Sequence, residues 1–410
     1  MKPVSGFFQA LRKKLPKLPV IVTEFDLKPS PVAIYYLILI PTLFLMVTGY
    51  FMVFSAKTIQ ELSQGGNPYS AHLRTTVIMI LGVVAMAITA KIPSSFIRKF
   101  SIPIFIAGLA LQSLIFPFGV EVAGNLNWVH IPPLPTFQPS EALKLGLTLM
   151  LAFSFAAILR NRRDWRAVAF WVLFPLVLAV GLVMAGEDLG TTLVIVSVAL
   201  GITIVARIPR RYWVVSGLTS LLFIFIAVVQ KPSRLTRVLA PFGFGPEKDP
   251  TAPDQLDYSL RALGSGGLTG VGAGASKEKW FSLPAAETDF IFSVLGEEFG
   301  FLGTFSVLAV FVTLFYGMYR LALLQTDLYK RLVVVGTFTW MATQTLMNFG
   351  TVTGYGPIIG VPLPFISHGG SSFIITAICV GVILSIARET AGFKGKTGLG
   401  KVFRRRLGSK

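Results

Sequence analysis

Residues 284–298 read PAAETDFIFSVLGEE and mark the point where a polar, glycine-rich segment gives way to an apolar helix. Asp289 stands at this boundary. Thr288 is the expected helix cap, and Asp289 then falls in the first turn, where the helix dipole favours a negative charge. Such a carboxylate is ready to accept a proton; the alternative is that it only caps the helix. The stretch thus predicts a helix over 289–319 and a candidate catalytic base.

The remainder of the chain is strongly apolar. Hydrophobic residues make up 53% and charged residues 14% of its 410 residues, whereas soluble domains carry about 25% charged residues. The net charge of +18 is distributed between apolar runs and is not concentrated on one element. This pattern argues against a nucleic acid partner and is typical of a polytopic membrane protein.

Ten apolar segments are long enough to cross a hydrocarbon core of about 30 Å as helices. They lie near 32–54, 73–92, 100–118, 141–160, 166–185, 189–207, 212–230, 289–319, 332–352 and 366–387. The predicted fold is therefore an all-α polytopic membrane protein with ten transmembrane helices. The eighth segment is unusually long, and we expect it to begin above the membrane core or to tilt.

The distribution of basic residues predicts the orientation. Of the 37 Lys and Arg residues, 27 lie in the two termini and in alternate short turns, which places both termini in the cytoplasm. The chain then divides into a basic cytoplasmic arm (1–31), a membrane domain (32–387) and a basic cytoplasmic tail (388–410). One large extracytoplasmic loop, 231–288, connects helices 7 and 8. Most acidic residues fall on the outer side, where an extracytoplasmic site would find its base.

Several charged residues near helix ends are open to two interpretations. Glu141 and Lys144 share a helix face and form either an ion pair or the lining of a polar cavity. Asp188, beside Glu187, is expected to cap the helix that follows. Glu287, two residues from Asp289, could raise the proton affinity of one member of this pair, and the sequence does not decide which.

Glu297 and Glu298 lie further along the apolar segment, where carboxylates are costly. They either pair with a buried base or take part in catalysis.

Two glycine-rich stretches flank the candidate base. The first, GSGGLTGVGAGASKEK (264–279), is either a flexible linker or a loop whose N–H groups, with Lys277 and Lys279, cradle a pyrophosphate. The second, TGYGPIIGVPLPFISHGGSSF (353–373), carries no charge and is expected to be re-entrant or tightly packed beside the site. His368 is expected to be a packing residue, and Cys379 a small buried hydrophobe.

Together these segments resemble the SEDS (shape, elongation, division and sporulation) family, to which FtsW and RodA belong. The most specific matches are QPSEALK (138–144), EDLGT (187–191), the loop 255–274, KW-x-x-LP with TDFIFSVLGEE (279–298) and PLPFISHGGSS (362–372). The resemblance implies an inverting peptidoglycan glycosyltransferase in the bacterial cytoplasmic membrane. It would polymerise lipid II on the outer face, together with a class B penicillin-binding protein and other divisome or elongasome membrane proteins. The glycine loop and basic tail favour the FtsW side, and thus cell division.

The resemblance also implies roles for individual residues. Asp289 matches the essential aspartate of the family and is the expected catalytic base. The expected substrate-binding residues are Glu141, Lys144, Arg237, Gln255, Lys277, Lys279 and Ser371, and the expected tuning residues are Glu287 and Glu297. Three positions depart from the family pattern: Glu287 and Asn127 stand where histidine and arginine are common, and His368 replaces a tyrosine.

Charge on the leaving pyrophosphate would be balanced by the basic residues or by a divalent cation, Mg²⁺ or Mn²⁺, and no metal ligand is assigned. Two other functions remain open. A transporter that flips the lipid-linked precursor would carry polar residues through the whole depth of the bundle. A non-catalytic division scaffold would need Asp289 only as a cap.

Overall fold

The computed structural model describes residues 29–206 except 64, 123–124, 134 and 161–164, and residues 255–393 except 281–282, with isolated positions between 214 and 239. Most of the basic arm, the tail from residue 394, the span expected at 212–230 and Arg237 lie outside the described residues.

The described chain is mostly helical. Its α-helices are α1 (Pro31–Ser63), α2 (Pro68–Thr89), α3 (Ser94–Lys99), α4 (Ser101–Ser113), α5 (Ile115–Phe118), α6 (Pro139–Arg160), α7 (Trp165–Val168), α8 (Phe174–Ala185), α9 (Leu189–Val205), α10 (Gln255–Ser265), α11 (Ile291–Leu324), α12 (Leu328–Val352) and α13 (Gly370–Thr390). A π-helical turn, Ala169–Leu173, joins α7 to α8, and a 3₁₀ turn covers Glu278–Trp280.

Seven helical stretches among the described residues are long and apolar enough to cross a membrane. They are α1, α2, α6, α11, α13, the α4–α5 pair and the stretch Arg166–Ala185. Helix α9 is apolar but shorter, and α12 carries many buried polar side chains. The multi-pass architecture is thus confirmed, while the count of ten remains a prediction.

A small β-hairpin corrects the all-α expectation. Strands β1 (Gly119–Val122) and β2 (Asn125–Val129) pair antiparallel, with Gly119 opposite Val129, and Val129 also bridges to Phe137. The β-branched and aromatic residues of this segment suit a half-buried strand pair. The hairpin connects α5 to α6, and it carries Asn127 towards the candidate site.

Helix α6 forms the centre of the bundle. Of the apolar stretch of α6 that could cross the membrane, 78% is buried, whereas the corresponding value for α2 is 11%. Two glycines allow α4 to approach α6 closely: a Cβ on Gly108 would meet Leu143 Cα at 2.9 Å, and one on Gly146 would meet Phe105 Cα at 2.8 Å. Small residues at such crossings are typical of membrane helix packing, where close van der Waals contact replaces the hydrophobic effect.

Helix α11 differs from the continuous helix expected over 289–319. It begins at Ile291, and Phe290 precedes it without a side-chain cap, so Thr288 does not cap this helix. The helix is also broken at Gly300, whose φ of 64° and ψ of −161° are non-helical. This backbone region is essentially restricted to glycine. The break accounts for the unusual length of the segment, because a half-helix, 291–299, precedes the main span.

The first glycine-rich stretch satisfies the backbone groups that the break exposes. The N–H groups of Val271 and Gly272 donate to the carbonyls of Glu297 and Glu298 at 2.9 and 3.1 Å. In return, the carbonyls of Gly267 and Leu268 accept from the N–H groups of Phe301 and Leu302, at 2.9 and 3.1 Å.

The approach requires glycine, since a Cβ on Gly270 would lie 2.1 Å from the Glu298 carbonyl oxygen. The segment 266–272, hereafter the glycine brace, is therefore part of the packed structure.

We expect Gly300→Ala to destabilise the protein by about 2–4 kcal/mol, since it adds backbone strain and overpacking. The new Cβ would meet Gly270 N at 2.4 Å and Leu268 O at 2.7 Å. Thermal unfolding of the purified protein in detergent measures the effect. The matched control is Gly181→Ala in α8, where no atom lies within 4 Å of the added methyl. Equal unfolding temperatures for the two variants would contradict the assigned role of Gly300.

Candidate functional site

The turn 283–290 presents Asp289 just before α11, and three of its carbonyl groups are held from two sides. The Glu287 carbonyl accepts from the His368 N–H at 2.8 Å, and the Thr288 carbonyl accepts from Ser367 Oγ at 2.6 Å. The Asp289 carbonyl accepts from Asn348 Nδ2 at 2.9 Å. Three successive carbonyls are thus fixed by donors distant in sequence, and the Asp289 side chain projects from an anchored turn.

The loop 353–369 forms the wall that faces the Asp289 carboxylate. Gly360 has a φ of +66°, and a Cβ there would lie 3.6 Å from Asp289 Oδ2. Helix α9 packs directly behind this loop, because a Cβ on Gly190 would lie 2.7 Å from the Ile359 carbonyl oxygen. The loop is therefore tightly packed beside the candidate base, as the sequence predicted.

Asp188 connects three of the sequence motifs. Its carboxylate accepts from the N–H and hydroxyl of Thr191, both at 2.8 Å, which confirms it as the cap of α9. It also accepts from Asn127 Nδ2 at 2.9 Å and Gln138 Nε2 at 3.0 Å. The Gln138 N–H in turn donates to Ser371 Oγ at 3.0 Å. The QPSEALK, EDLGT and PLPFISHGGSS motifs therefore meet at one place.

Backbone strain is concentrated in the same segments. In the described part of the chain, the non-glycine residues with positive φ are Glu187 (63°), Ala285 (57°) and Phe365 (65°). Each lies in one of the segments that form the candidate site. Strain of this kind costs about 1–3 kcal/mol per residue and is common at functional sites.

The electrostatic environment makes Asp289 a suitable base near neutral pH. Burial raises the pKa of its carboxyl group to about 6, and the charges of Glu287 and Asp188 add to this effect. No described residue donates a hydrogen bond to the carboxylate. At pH 7 the group is therefore mostly ionised, yet it binds a proton more readily than an ordinary aspartate.

A cleft opens beside this turn, between α1, α2 and the loop that ends at Gly370. Its lining is largely apolar and includes Met46, Tyr50, Ile78 and Phe373. His368 also lines it, and burial, followed by the charges of Lys57 and Arg74, lowers the pKa of this histidine to about 3. His368 is thus neutral at pH 7. Lys57 and Arg74 are cations that the sequence analysis did not single out.

Glu141 and Lys144 form a sealed ion pair, which confirms the first of their two interpretations. Lys144 Nζ lies 2.9 Å from Glu141 Oε1, and both side chains are 1% exposed. The Lys144 ammonium also lies 4.8 Å from the ring centroid of Trp340. This enclosure gives no support to direct substrate contact by either residue.

Glu297 and Glu298 tie the polar segment after the glycine brace to the half-helix. Glu297 accepts from Ser276 Oγ at 2.6 Å and from the Lys277 N–H at 2.9 Å. Glu298 Oε1 binds Lys279 Nζ at 2.6 Å and Ser55 Oγ at 2.8 Å. Pairing with a buried base is therefore the interpretation that holds for Glu298.

These contacts also bear on the proposed pyrophosphate cradle. Lys279 Nζ is buried and is further bonded to Ser55 Oγ and the Gly274 carbonyl, both at 2.7 Å. The N–H groups of Val271 and Gly272 already donate hydrogen bonds to carbonyl groups of α11. Lys277 is exposed, and Gln255 begins α10. The cradle thus gains no support from the backbone of the glycine brace or from Lys279.

The described residues contain no group of three His, Cys, Asp or Glu side chains that could hold a metal ion. The divalent-cation alternative is not tested by this, because Mg²⁺ at phosphate-binding sites is usually held by only one or two carboxylates together with substrate phosphates.

Sequence reasoning missed Asn348 and Ser367, which hold the turn of the candidate base. Their signal was weak: one amide among several polar residues of a helix, and a serine inside a recognised motif. Both act through main-chain carbonyls of residues far away in the sequence, and such contacts leave no spacing pattern.

Comparison with known proteins gives consistent matches along most of the chain. The family model described as cell cycle protein, covering FtsW, RodA and SpoVE, matches residues 35–392. A probable peptidoglycan glycosyltransferase FtsW from Geobacter sp. (strain M18) is 32% identical over 363 residues, which are 87% of this chain and 97% of the relative. Stage V sporulation protein E of Bacillus subtilis (strain 168) is 33% identical over 358 residues, 86% of this chain and 96% of the relative.

Solved structures with the same fold include one chain of a peptidoglycan synthase complex that coordinates polymerization and crosslinking. It has a TM-score of 0.66 and 27% identity, and the match covers 85% of this chain and 97% of that chain. The rod shape determining protein RodA of Thermus thermophilus has a TM-score of 0.63 and 26% identity, covering 87% and 97%.

We expect Lys279→Met to destabilise the protein by about 3–5 kcal/mol, because it leaves the buried Glu298 carboxylate without its cation. The exposed Lys277→Met should change stability by less than about 0.5 kcal/mol. Denaturant or thermal unfolding of both variants in detergent measures the difference. If Lys279→Met unfolds like the wild type, the Lys279–Glu298 pair does not contribute to the stability of the fold.

Proposed function

Because the chain belongs to the FtsW, RodA and SpoVE family of cell cycle proteins, we propose that it is an inverting peptidoglycan glycosyltransferase. Its substrate would be lipid II, polymerised into glycan strands during cell division at the outer face of the bacterial cytoplasmic membrane. The ten-span topology with cytoplasmic termini belongs to the same proposal. A class B penicillin-binding protein is the proposed partner, together with other divisome membrane proteins, and the similarity to a peptidoglycan synthase complex supports it.

The observation that carries the proposal is the state of Asp289. Its carboxylate receives no hydrogen bond from the described residues, its pKa is raised to about 6, and its turn is fixed at three carbonyls. A carboxylate that only capped a helix would accept N–H groups of the first turn. Asp289 lies outside α11 and does not act as its cap. These features suit a general base.

In the proposed reaction, Asp289 removes the proton from the 4-hydroxyl of the acceptor sugar. The hydroxyl oxygen attacks the anomeric carbon of the donor, and the polyprenyl pyrophosphate leaves from the opposite face with the bonding electron pair. The leaving group is already acidic and needs charge compensation more than a proton. Lys57, Arg74 and Lys277 are better placed for that role than the buried Lys144 and Lys279.

We expect Asp289→Asn to lower the rate of lipid II polymerisation about 10²- to 10⁴-fold, the usual contribution of a general base. The assay uses the purified protein with its penicillin-binding partner and labelled lipid II. Glu121→Gln, which removes an exposed acid from β1, is the matched control and should retain the wild-type rate.

Normal glycan synthesis by Asp289→Asn would refute the catalytic assignment. A wild-type protein that makes no glycan but moves lipid II across vesicles would instead support the transporter. Inactivity in both assays would support the third alternative, a non-catalytic division scaffold.

The wild-type rate should fall as the pH drops through about 6, because Asp289 becomes protonated there and can no longer act as a base. Glu287→Gln removes a negative charge that raises the pKa of Asp289, so the acid limb of its rate profile should move to lower pH. Rate measurements between pH 5 and 8 test this. An unchanged limb in Glu287→Gln would show that Glu287 does not tune the base.

A further inference from the structure

Asn348 is a buried amide in α12 that touches the two segments on either side of the Asp289 carboxylate. One Nδ2 hydrogen is donated to the Asp289 carbonyl at 2.9 Å and the other to the Val361 carbonyl at 3.0 Å. Val361 follows Gly360, the residue that faces the carboxylate. A single side chain thus fixes the base to the wall opposite it.

We propose that Asn348 is a positioning residue that sets the distance and direction of the Asp289 carboxylate towards the acceptor hydroxyl. This inference rests on the proposed function and adds a residue to it. Asn348 takes no part in the proton transfer, in which the proton passes from the acceptor hydroxyl to Asp289. Its contribution is geometric, and a displacement of about 1 Å at such a site can cost 10²-fold in rate.

The chemistry of the side chain explains why this position carries asparagine. A primary amide offers two N–H donors from one nitrogen, so it can bind two carbonyls at once. Its own Oδ1 has no hydrogen-bond partner within the described residues, although the side chain is only 1% exposed. A buried acceptor without a partner costs about 1–3 kcal/mol. An apolar residue would avoid that cost, but it could not donate the two hydrogen bonds to Asp289 and Val361.

The helix that carries Asn348 is itself anchored on the same face. Trp340, Gln344 and Asn348 follow one another at intervals of four residues, and Trp340 Nε1 donates to Gln344 Oε1. Below them, the Lys144 ammonium lies over the Trp340 ring. The position of Asn348 is therefore fixed relative to α6, the most buried of the seven candidate membrane spans in the described residues. Ser367 and His368 hold the neighbouring carbonyls of the turn from the other side.

The test compares Asn348→Ala with Thr345→Ala. Thr345 is a buried residue on the same helix whose hydroxyl bonds only within the helix, to the Met341 carbonyl, so its loss controls for cavity formation. In the lipid II assay, we expect Asn348→Ala to lower kcat about 10- to 100-fold with KM within about twofold. The acid limb of its pH–rate profile should also move to lower pH, because a loosened turn lets water reach the Asp289 carboxylate and lowers its pKa. Thr345→Ala should keep the wild-type pH profile.

A second variant keeps the inference falsifiable if Asn348→Ala does not fold. Asn348→Asp retains the volume of the side chain but loses the paired N–H donors, and it should show at least as large a loss of kcat. Wild-type kcat and pH profile in either folded Asn348 variant would overturn the positioning role. So would equal losses in Asn348→Ala and Thr345→Ala with no change in the acid limb.

Hydrogen exchange separates this inference from the proposed function. The N–H groups of Thr288 and Phe290 bond to the Ala285 carbonyl within the turn, and we expect them to exchange about tenfold faster in Asn348→Ala than in Thr345→Ala. If the wild type makes no glycan, the proposed function fails, whatever the exchange rates show. If the wild type is active but the exchange rates of the two variants are equal, the function stands and the anchoring by Asn348 is refuted.

Discussion

The structure depends on one constraint, which is that backbone hydrogen-bonding groups within a membrane bundle need partners. Gly300 interrupts α11, and the interruption would leave carbonyl and N–H groups exposed. Unsatisfied groups of this kind cost several kcal/mol in an apolar surrounding. The glycine brace supplies two donors and two acceptors to the broken helix. Its glycines are needed because the two backbones lie too close for side chains to fit between them.

This arrangement creates the half-helix that follows the turn of the candidate base. Residues 291–299 have the anchored Asp289 turn before them and the Gly300 break after them. At the far end, Glu297 binds the segment 276–278, while Glu298 joins Lys279 and Ser55 of α1. At the near end, Asn348, Ser367 and the His368 N–H hold the turn. Contacts from four regions of the chain thus fix both ends of one short element.

Local sequence patterns predicted part of this structure correctly. Hydropathy located the membrane helices in the described residues, the i, i+3 spacing gave the Glu141–Lys144 pair, and the position of Asp188 before α9 gave its capping role. These features depend on residues within one or two helical turns of each other. The start of α11 was misplaced by two residues because Thr288 and Asp289 resemble a cap, whereas tertiary contacts hold both in a turn. The break at Gly300, the brace and the role of Asn348 depend on pairings between distant segments, and no local pattern specifies those.

The sealed pair in α6 has a consequence for how the protein enters the membrane during synthesis. A lone charged residue costs about 2.5–3.5 kcal/mol on insertion at the centre of a membrane helix, and less towards its end, where Glu141 and Lys144 lie. Glu141 and Lys144 are one turn apart, so they can neutralise each other without a partner from any other helix. The apolar stretch Pro139–Leu159 of α6 can therefore partition into lipid without net charge, with Arg160 left at its end. Glu298 has no such neighbour on its own helix, and its cation, Lys279, precedes it on the polar segment, so that charge is neutralised only when the two segments come together.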